Sequence, residues 1–198
     1  MKLRPPTMFS TCFNDGSLRD YIMSNAQDPW EDTPFKGYVH MSPKQKGEFG
    51  ERFVTKYLKG AGHTVERAKT STAGHDRVVN DILTEIKFSL ATRNKKGGVK
   101  EDSFIINHVS REKDWEILVF FGINKRETDA RLVWFTKEDF KSHLDSDNCL
   151  FAHQQGGKNI ENDDYICTKV SELLKQTWVH SIDTVSYTHL RAHETQPY

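Results

Sequence analysis

The run Gly74-His75-Asp76-Arg77-Val78-Val79-Asn80-Asp81-Ile82-Leu83-Thr84-Glu85-Ile86-Lys87 contains two acids and a lysine at spacings that can meet. It reads as two short apolar strands joined by Asn80-Asp81, residue types that tolerate the positive φ of a tight hairpin. Folded at that turn, Val79 faces Ile82, Val78 faces Leu83, Arg77 faces Thr84, and Asp76 falls opposite Glu85. Cross-strand partners stand about 5 Å apart and alternate residues share a face. Asp76, Glu85 and Lys87 are therefore expected on one side of a sheet edge. Two carboxylates that close repel unless a divalent cation lies between them. With the Lys87 ammonium one step further along, the chemistry this suits is metal-dependent phosphodiester hydrolysis. Hard oxygen donors select Mg²⁺, with Mn²⁺ as a substitute, and the Ile86 carbonyl is a further candidate ligand. Taken singly, Asp76 is a turn-flanking aspartate, and Glu85 and Lys87 a solvated strand face. Their convergence is what carries the chemistry.

The elements that must position these residues follow from the flanking pattern. Ser42 is an N-cap, Pro43 suits the first helical position, and Phe49, Phe53, Val54, Tyr57 and Leu58 form one apolar stripe that Gly60-Ala61-Gly62 ends. Residues 64–68 read as a short strand. Ile82, Ile86 and Phe88 are expected on the core face of the hairpin, opposite the acids. Residues 104–109 are ambiguous between strand and helix. Residues 115–122, the most hydrophobic run, suit a buried central strand, and 132–135 another. Thr136-Lys137-Glu138-Asp139 looks like a capping box, with Phe135 and Phe140 placed as a staple. Residues 165–167 suit a short edge strand and 169–178 a packing helix. This order predicts an α/β domain, a mixed central sheet flanked by helices.

At Asp76 and at Glu85-Ile86-Lys87 the chain resembles the PD-(D/E)XK nuclease superfamily, with His75 where the family name has proline. Gly47-Glu48-Phe49-Gly50-Glu51 matches the Gly-x-x-x-Glu that such nucleases often carry on an upstream helix. The resemblance spans residues 41–135. It implies a three-layer restriction-endonuclease-like fold, and it implies Lys87 as the group that orients the attacking water. It also implies Glu51 as the acid that completes the metal shell of Asp76, Glu85 and Ile86, with Glu48 as the alternative helix acid. The size, and the absence of a helicase or methylase segment, fit a type II restriction endonuclease cutting double-stranded DNA. One active centre per chain then calls for a homodimer, and a cognate DNA methyltransferase is expected elsewhere in the same system. The alternatives are a structure-specific or repair nuclease resembling a Holliday-junction resolvase, or a non-catalytic DNA-binding module.

Composition limits the rest. The 198 residues are 36% apolar and 28% charged, enough for one domain with a core. No apolar run is long enough for a membrane span and no signal segment is apparent. Cys12, Cys149 and Cys167 have no paired spacing, so a reduced, cytoplasmic setting is expected. His143, Cys149 and His153 match no zinc pattern. Formal net charge is zero, so DNA contact would rest on local patches. The candidates are Lys44 and Lys46 on the first helix, Ser89, Arg93, Lys95 and Lys96 after the strand lysine, Asn107 and His108, and Gln154 and Gln155.

The ends read differently. Residues 1–40 lack periodicity and are expected to form an irregular arm, with Trp30, Phe35 and Tyr38 packing onto a nuclease domain at 41–183. Residues 184–198 include the peptide that a transposon-type sequencing adapter encodes in frame, so they are read as a non-native tail. His189 and His193 are accordingly not counted as ligands, and the natural chain is expected to continue past Asp183.

Overall fold

A computed structural model describes residues 11–70, 73–94, 97–107, 109–125, 130–144, 146, 149–153 and 165–182. Asn80 and Asp81 both adopt positive φ, 50° and 69°, and this turn folds β2 (Arg77–Val79) onto β3 (Ile82–Leu90). The register pairs Arg77 with Thr84, Val78 with Leu83 and Val79 with Ile82. β1 (Val65–Arg67) extends the sheet on one side. On the other, β3 runs parallel to the fully buried β5 (Ile117–Ile123). β6 (Ala130–Thr136) and the two-residue β9 (His180–Ser181) complete a six-stranded mixed sheet in the order β1-β2-β3-β5-β6-β9. β3 is thus interior to the sheet, where the sequence suggested an edge. The reason is the parallel partner, whose pairing is non-local and leaves no turn signal.

Between β3 and β5 the chain forms β4 (Ser103–Asn107), which joins β7 (Ala152–His153) and β8 (Tyr165–Lys169) in a second sheet ordered β4-β8-β7. β8 is therefore the middle strand of that sheet, not an edge. The ambiguous run is strand as far as Asn107, because β8 supplies its partners.

Helix α1 (Ser17–Ala26) lies within the arm expected to be irregular, and it buries no side chain. Helix α2 (Pro43–Gly60) has the expected Ser42 cap, which Gln45 makes reciprocal: Gln45 N–H donates to Ser42 Oγ at 3.3 Å, and Ser42 N–H to Gln45 Oε1 at 2.9 Å. Its buried stripe is Gly50, Val54 and Leu58. Gly50 is required there: a Cβ would come within 2.4 Å of Phe88 Cβ. Phe53 stands against Phe121 at 5.0 Å, so α2 covers the sheet face that carries Phe88 and Phe121. Tyr38 and Phe35 reach the same aromatic cluster through Phe49, and Trp30 is 1% exposed behind them.

The opposite face is closed by Phe104 of β4 against Phe120, and by helix α3 (Lys137–Leu144), whose Phe140 stacks on Phe135. Thr136 Oγ1 accepts from Asp139 N–H and donates to its carboxylate, completing the cap of α3. Helix α4 is only Val170–Leu173. The apolar spacing to Trp178 is real, but the chain turns after Leu173, and Trp178 packs on Phe135 and His143 instead. No helix of the described residues is long and apolar enough to cross a membrane.

Candidate functional site

The site forms where β2 leaves β3. Asp76 N–H still donates to the Thr84 carbonyl at 3.1 Å, continuing the ladder by one rung. Two residues on, the Ile86 N–H meets the Asp76 side chain instead of a strand, donating to Oδ2 at 2.8 Å. The carboxylate of Asp76 therefore sits against the backbone of Glu85-Ile86-Lys87. Glu85 is 3% exposed, and Lys87 Nζ stands 2.6 Å from its Oε1. The register sets Glu85 beside Leu118 and Lys87 beside Phe120, so both project from the face that β4 and α3 cover. Burial pushes the Glu85 carboxyl above its usual range; Lys87 opposes the rise, Asp76 adds to it, and Lys113 opposes it from a distance. The net direction is upward because the cost of burying the charge exceeds what Lys87 and Lys113 offset.

Glu51 approaches from elsewhere. It lies on α2, which covers the Phe88 face, whereas Glu85 and Lys87 alternate to the other. Its carboxylate pairs with Arg77 Nη2 at 3.0 Å. Burial and the Asp76 charge raise its pKa, while Arg77 and Lys87 hold it back. Glu48 is exposed on the same helix. Of the four expected donors, Asp76, Glu85 and Ile86 lie together, while Glu51 pairs with Arg77 and feels the charges of Asp76 and Lys87.

The residues present fit a divalent cation of the Mg²⁺ kind. All the available donors are oxygens, and the buried Glu85 and adjacent Asp76 form a pair whose mutual repulsion a cation relieves. Among the described residues no three His, Cys, Asp or Glu side chains cluster closely enough to form a metal cage. Mg²⁺ does not need one, because it commonly takes one or two carboxylates and keeps several waters.

Neither a family model nor a curated protein sequence matches the chain. Among solved structures it is similar to a bacterial homing endonuclease, with a TM-score of 0.38 and 16% identity, over 52% of this chain and 74% of that one. A likeness of that size leaves function to be argued from the site itself.

The residues expected near DNA divide. Lys44 is exposed on α2. Lys46 donates to the Val39 carbonyl at 3.2 Å and lies over the Tyr38 ring, so it braces the arm. Arg93 donates to the Asn25 carbonyl at the end of α1. Ser89, expected near a phosphate, is buried; its hydroxyl donates to the Leu90 carbonyl at 2.8 Å and accepts from Ile105 N–H, tying β3 to β4. Asn107 ends β4, paired through its backbone with Tyr165. Lys95, Lys96, His108, Gln154 and Gln155 lie outside the described residues.

The tertiary contacts of four neighbours of the site are not encoded by local spacing. Arg77 and Lys113 are ordinary cations in the sequence, and Lys113 is brought near Glu85 only by the loop before β5. Gly74 fits flat on that loop, where a Cβ would fall 2.0 Å from Asp114 N, and His75 Nδ1 lies 3.1 Å from the Asp114 carbonyl.

Proposed function

We propose that the chain is a metal-dependent endonuclease that hydrolyses phosphodiester bonds of double-stranded DNA, with a restriction-endonuclease-like arrangement and sequence-specific cleavage. The observation that carries this reading is the meeting of three groups at one strand divergence. Asp76 is fixed on the Ile86 N–H, and Glu85 is buried and paired with Lys87 at 2.6 Å. A divalent cation held by Asp76 and Glu85, with the Ile86 carbonyl, would acidify water and neutralise charge on the phosphate oxygens.

The chain's own residues do the remaining work. Lys87 offers an ammonium beside Glu85, with protons left to hold the attacking water and a non-bridging phosphate oxygen. Burial of Glu85 keeps this pair in a low-dielectric setting, where its field on the phosphate is least screened. Lys113 adds positive charge on the side of Glu85. One centre cuts one strand at a time, so the species that cuts both strands together is proposed to be a homodimer. The test is incubation of the protein with plasmid DNA and Mg²⁺, followed by sequencing of the fragment ends. Ends confined to one short sequence support restriction cleavage. Cutting confined to four-way junctions moves the assignment to a structure-specific nuclease. No cutting of any DNA with either Mg²⁺ or Mn²⁺ overturns it.

A further inference from the structure

The Arg77 side chain touches both the hairpin and α2 where they meet at the site. Its guanidinium is largely buried, the side chain 12% exposed. Three of its donors are directed at three groups. Nη1 donates to the Asp76 carbonyl oxygen at 2.6 Å, Nε donates to Thr55 Oγ1 at 3.1 Å, and Nη2 pairs with Glu51 at 3.0 Å. Glu51 and Thr55 are four residues apart on α2 and therefore share a helix face. The helix thus supplies two acceptors at the spacing of one planar fork, and the third direction of the fork fixes the Asp76 backbone.

The Asp76 residue is consequently held at three points. Its N–H is bonded to Thr84, its carboxylate to Ile86 N–H, and its carbonyl to Arg77. The first two come from β3. The third comes from the neighbouring residue of β2, whose guanidinium is itself held from outside the hairpin by Thr55 and Glu51 of α2. We propose that Arg77 is a positioning residue that locks Asp76 to α2, and that Glu51 acts through Arg77 rather than as a metal ligand. This rests on the proposed nuclease reading for its consequence in catalysis, but not for its structural content. A lysine at 77 has one nitrogen on a flexible stem and cannot span the three acceptors.

The experiment has two arms. In the metal-free protein, amide hydrogen exchange is measured at Ile86, whose N–H reports the seating of the Asp76 carboxylate, with Val119 of the buried β5 as the reference. Arg77→Ala and Arg77→Lys are expected to raise exchange at Ile86 by roughly tenfold or more while Val119 is unchanged, as for a local opening. Thr55→Val, which keeps the volume and removes one acceptor, is expected to move Ile86 in the same direction by less. Unchanged exchange at Ile86 in all three overturns the lock.

In the second arm, Mn²⁺ affinity by calorimetry and plasmid cleavage are compared for the parent, Asp76→Asn, Glu51→Gln, Arg77→Ala and the Glu51→Gln/Arg77→Ala double variant. Arg77→Ala is expected to lower kcat by roughly 100-fold, the scale of a displaced catalytic group. Glu51→Gln is expected to leave Mn²⁺ affinity near that of the parent, and the double variant to match Arg77→Ala, since the two groups act in series. Loss of Mn²⁺ affinity in Glu51→Gln as large as in Asp76→Asn, or additive losses in the double variant, overturns the role given to Glu51. A parent that neither binds Mn²⁺ nor cuts DNA sinks the nuclease reading, and the exchange arm then still decides whether Arg77 holds Asp76.

Discussion

Glu85 places a negative charge where the fold is least able to solvate it, and this has a measurable sign. Its pKa is higher in the folded chain than the ordinary 4.5, chiefly through burial. The folded state therefore binds the proton more tightly than the unfolded state does. Stability contributed by the protonated form is full below about 4.5 and is lost as pH rises through the folded value. Glu85→Gln, which mimics that form, is expected to raise the thermal midpoint of the metal-free protein near pH 7, by about 2–4 °C if the strain is of order 1 kcal/mol. The same variant should lose the stabilisation that Mg²⁺ gives the parent. A lower midpoint for Glu85→Gln, measured by calorimetric scanning, contradicts the account of Glu85. Lys87 opposes the shift, so Lys87→Met is expected to move the pH at which Mn²⁺ binds half-maximally upward, as titration at several pH values checks. The shared side of Asp76, Glu85 and Lys87 was legible by counting residues from Asn80-Asp81. The burial of Glu85 was not, because β4 and the Phe140 helix cover that face from far along the chain. Arg77 and Lys113 were not, because each reaches the site across a tertiary contact that no local spacing encodes.

At the level of elements, legibility followed how local the determining interactions are. The caps of α2 and α3 lie within four residues of their helices and could be read directly. Thr136→Ala is expected to lower stability by about 1 kcal/mol, the usual worth of an N-cap hydroxyl, as denaturant unfolding measures. The parallel pairing of β3 with β5, the β4-β8-β7 sheet and β9 depend on partners far along the chain and left no such mark. Helix α1 is a different case: Leu18, Tyr21 and Ile22 stand at helical spacing, but that stripe is too short to stand out among the turn residues around it, and the structure leaves it exposed. The close approach of α2 to β3 makes a sharper prediction. Gly50→Ala puts a Cβ into Phe88 at 2.4 Å, a backbone-level clash expected to lower stability by roughly 1–3 kcal/mol. Because α2 also carries Glu51 and Thr55, its displacement should reduce activity more than an equally destabilising change at Leu144, at the far end of α3 on the opposite side of the sheet from α2. Equal losses of activity in the two variants would indicate that α2 does not position the site.

For the whole molecule, the balance of 28 basic and 28 acidic residues leaves no net attraction for DNA. Affinity must then come from charge that is local to the cleft, and two of the cations expected to supply it, Lys46 and Arg93, instead hold the arm to the domain. Cleavage is accordingly expected to fall only modestly between 50 and 200 mM salt, by less than the roughly 10³-fold seen when six or more phosphates are neutralised. A single centre per chain also predicts that dilution converts double-strand cuts into nicks, which a concentration series on supercoiled plasmid resolves. The claim beneath all of this is that Asp76, Glu85 and Lys87 form one hydrolytic centre. It is tested most directly by the time course of supercoiled plasmid conversion in Mg²⁺, for the parent and for Lys87→Ala at matched fold and DNA affinity. The account predicts that the parent converts the plasmid, that a chelator stops it, and that Lys87→Ala slows it by at least about 100-fold. Conversion by Lys87→Ala at the parental rate, or by the parent with the metal chelated, contradicts it.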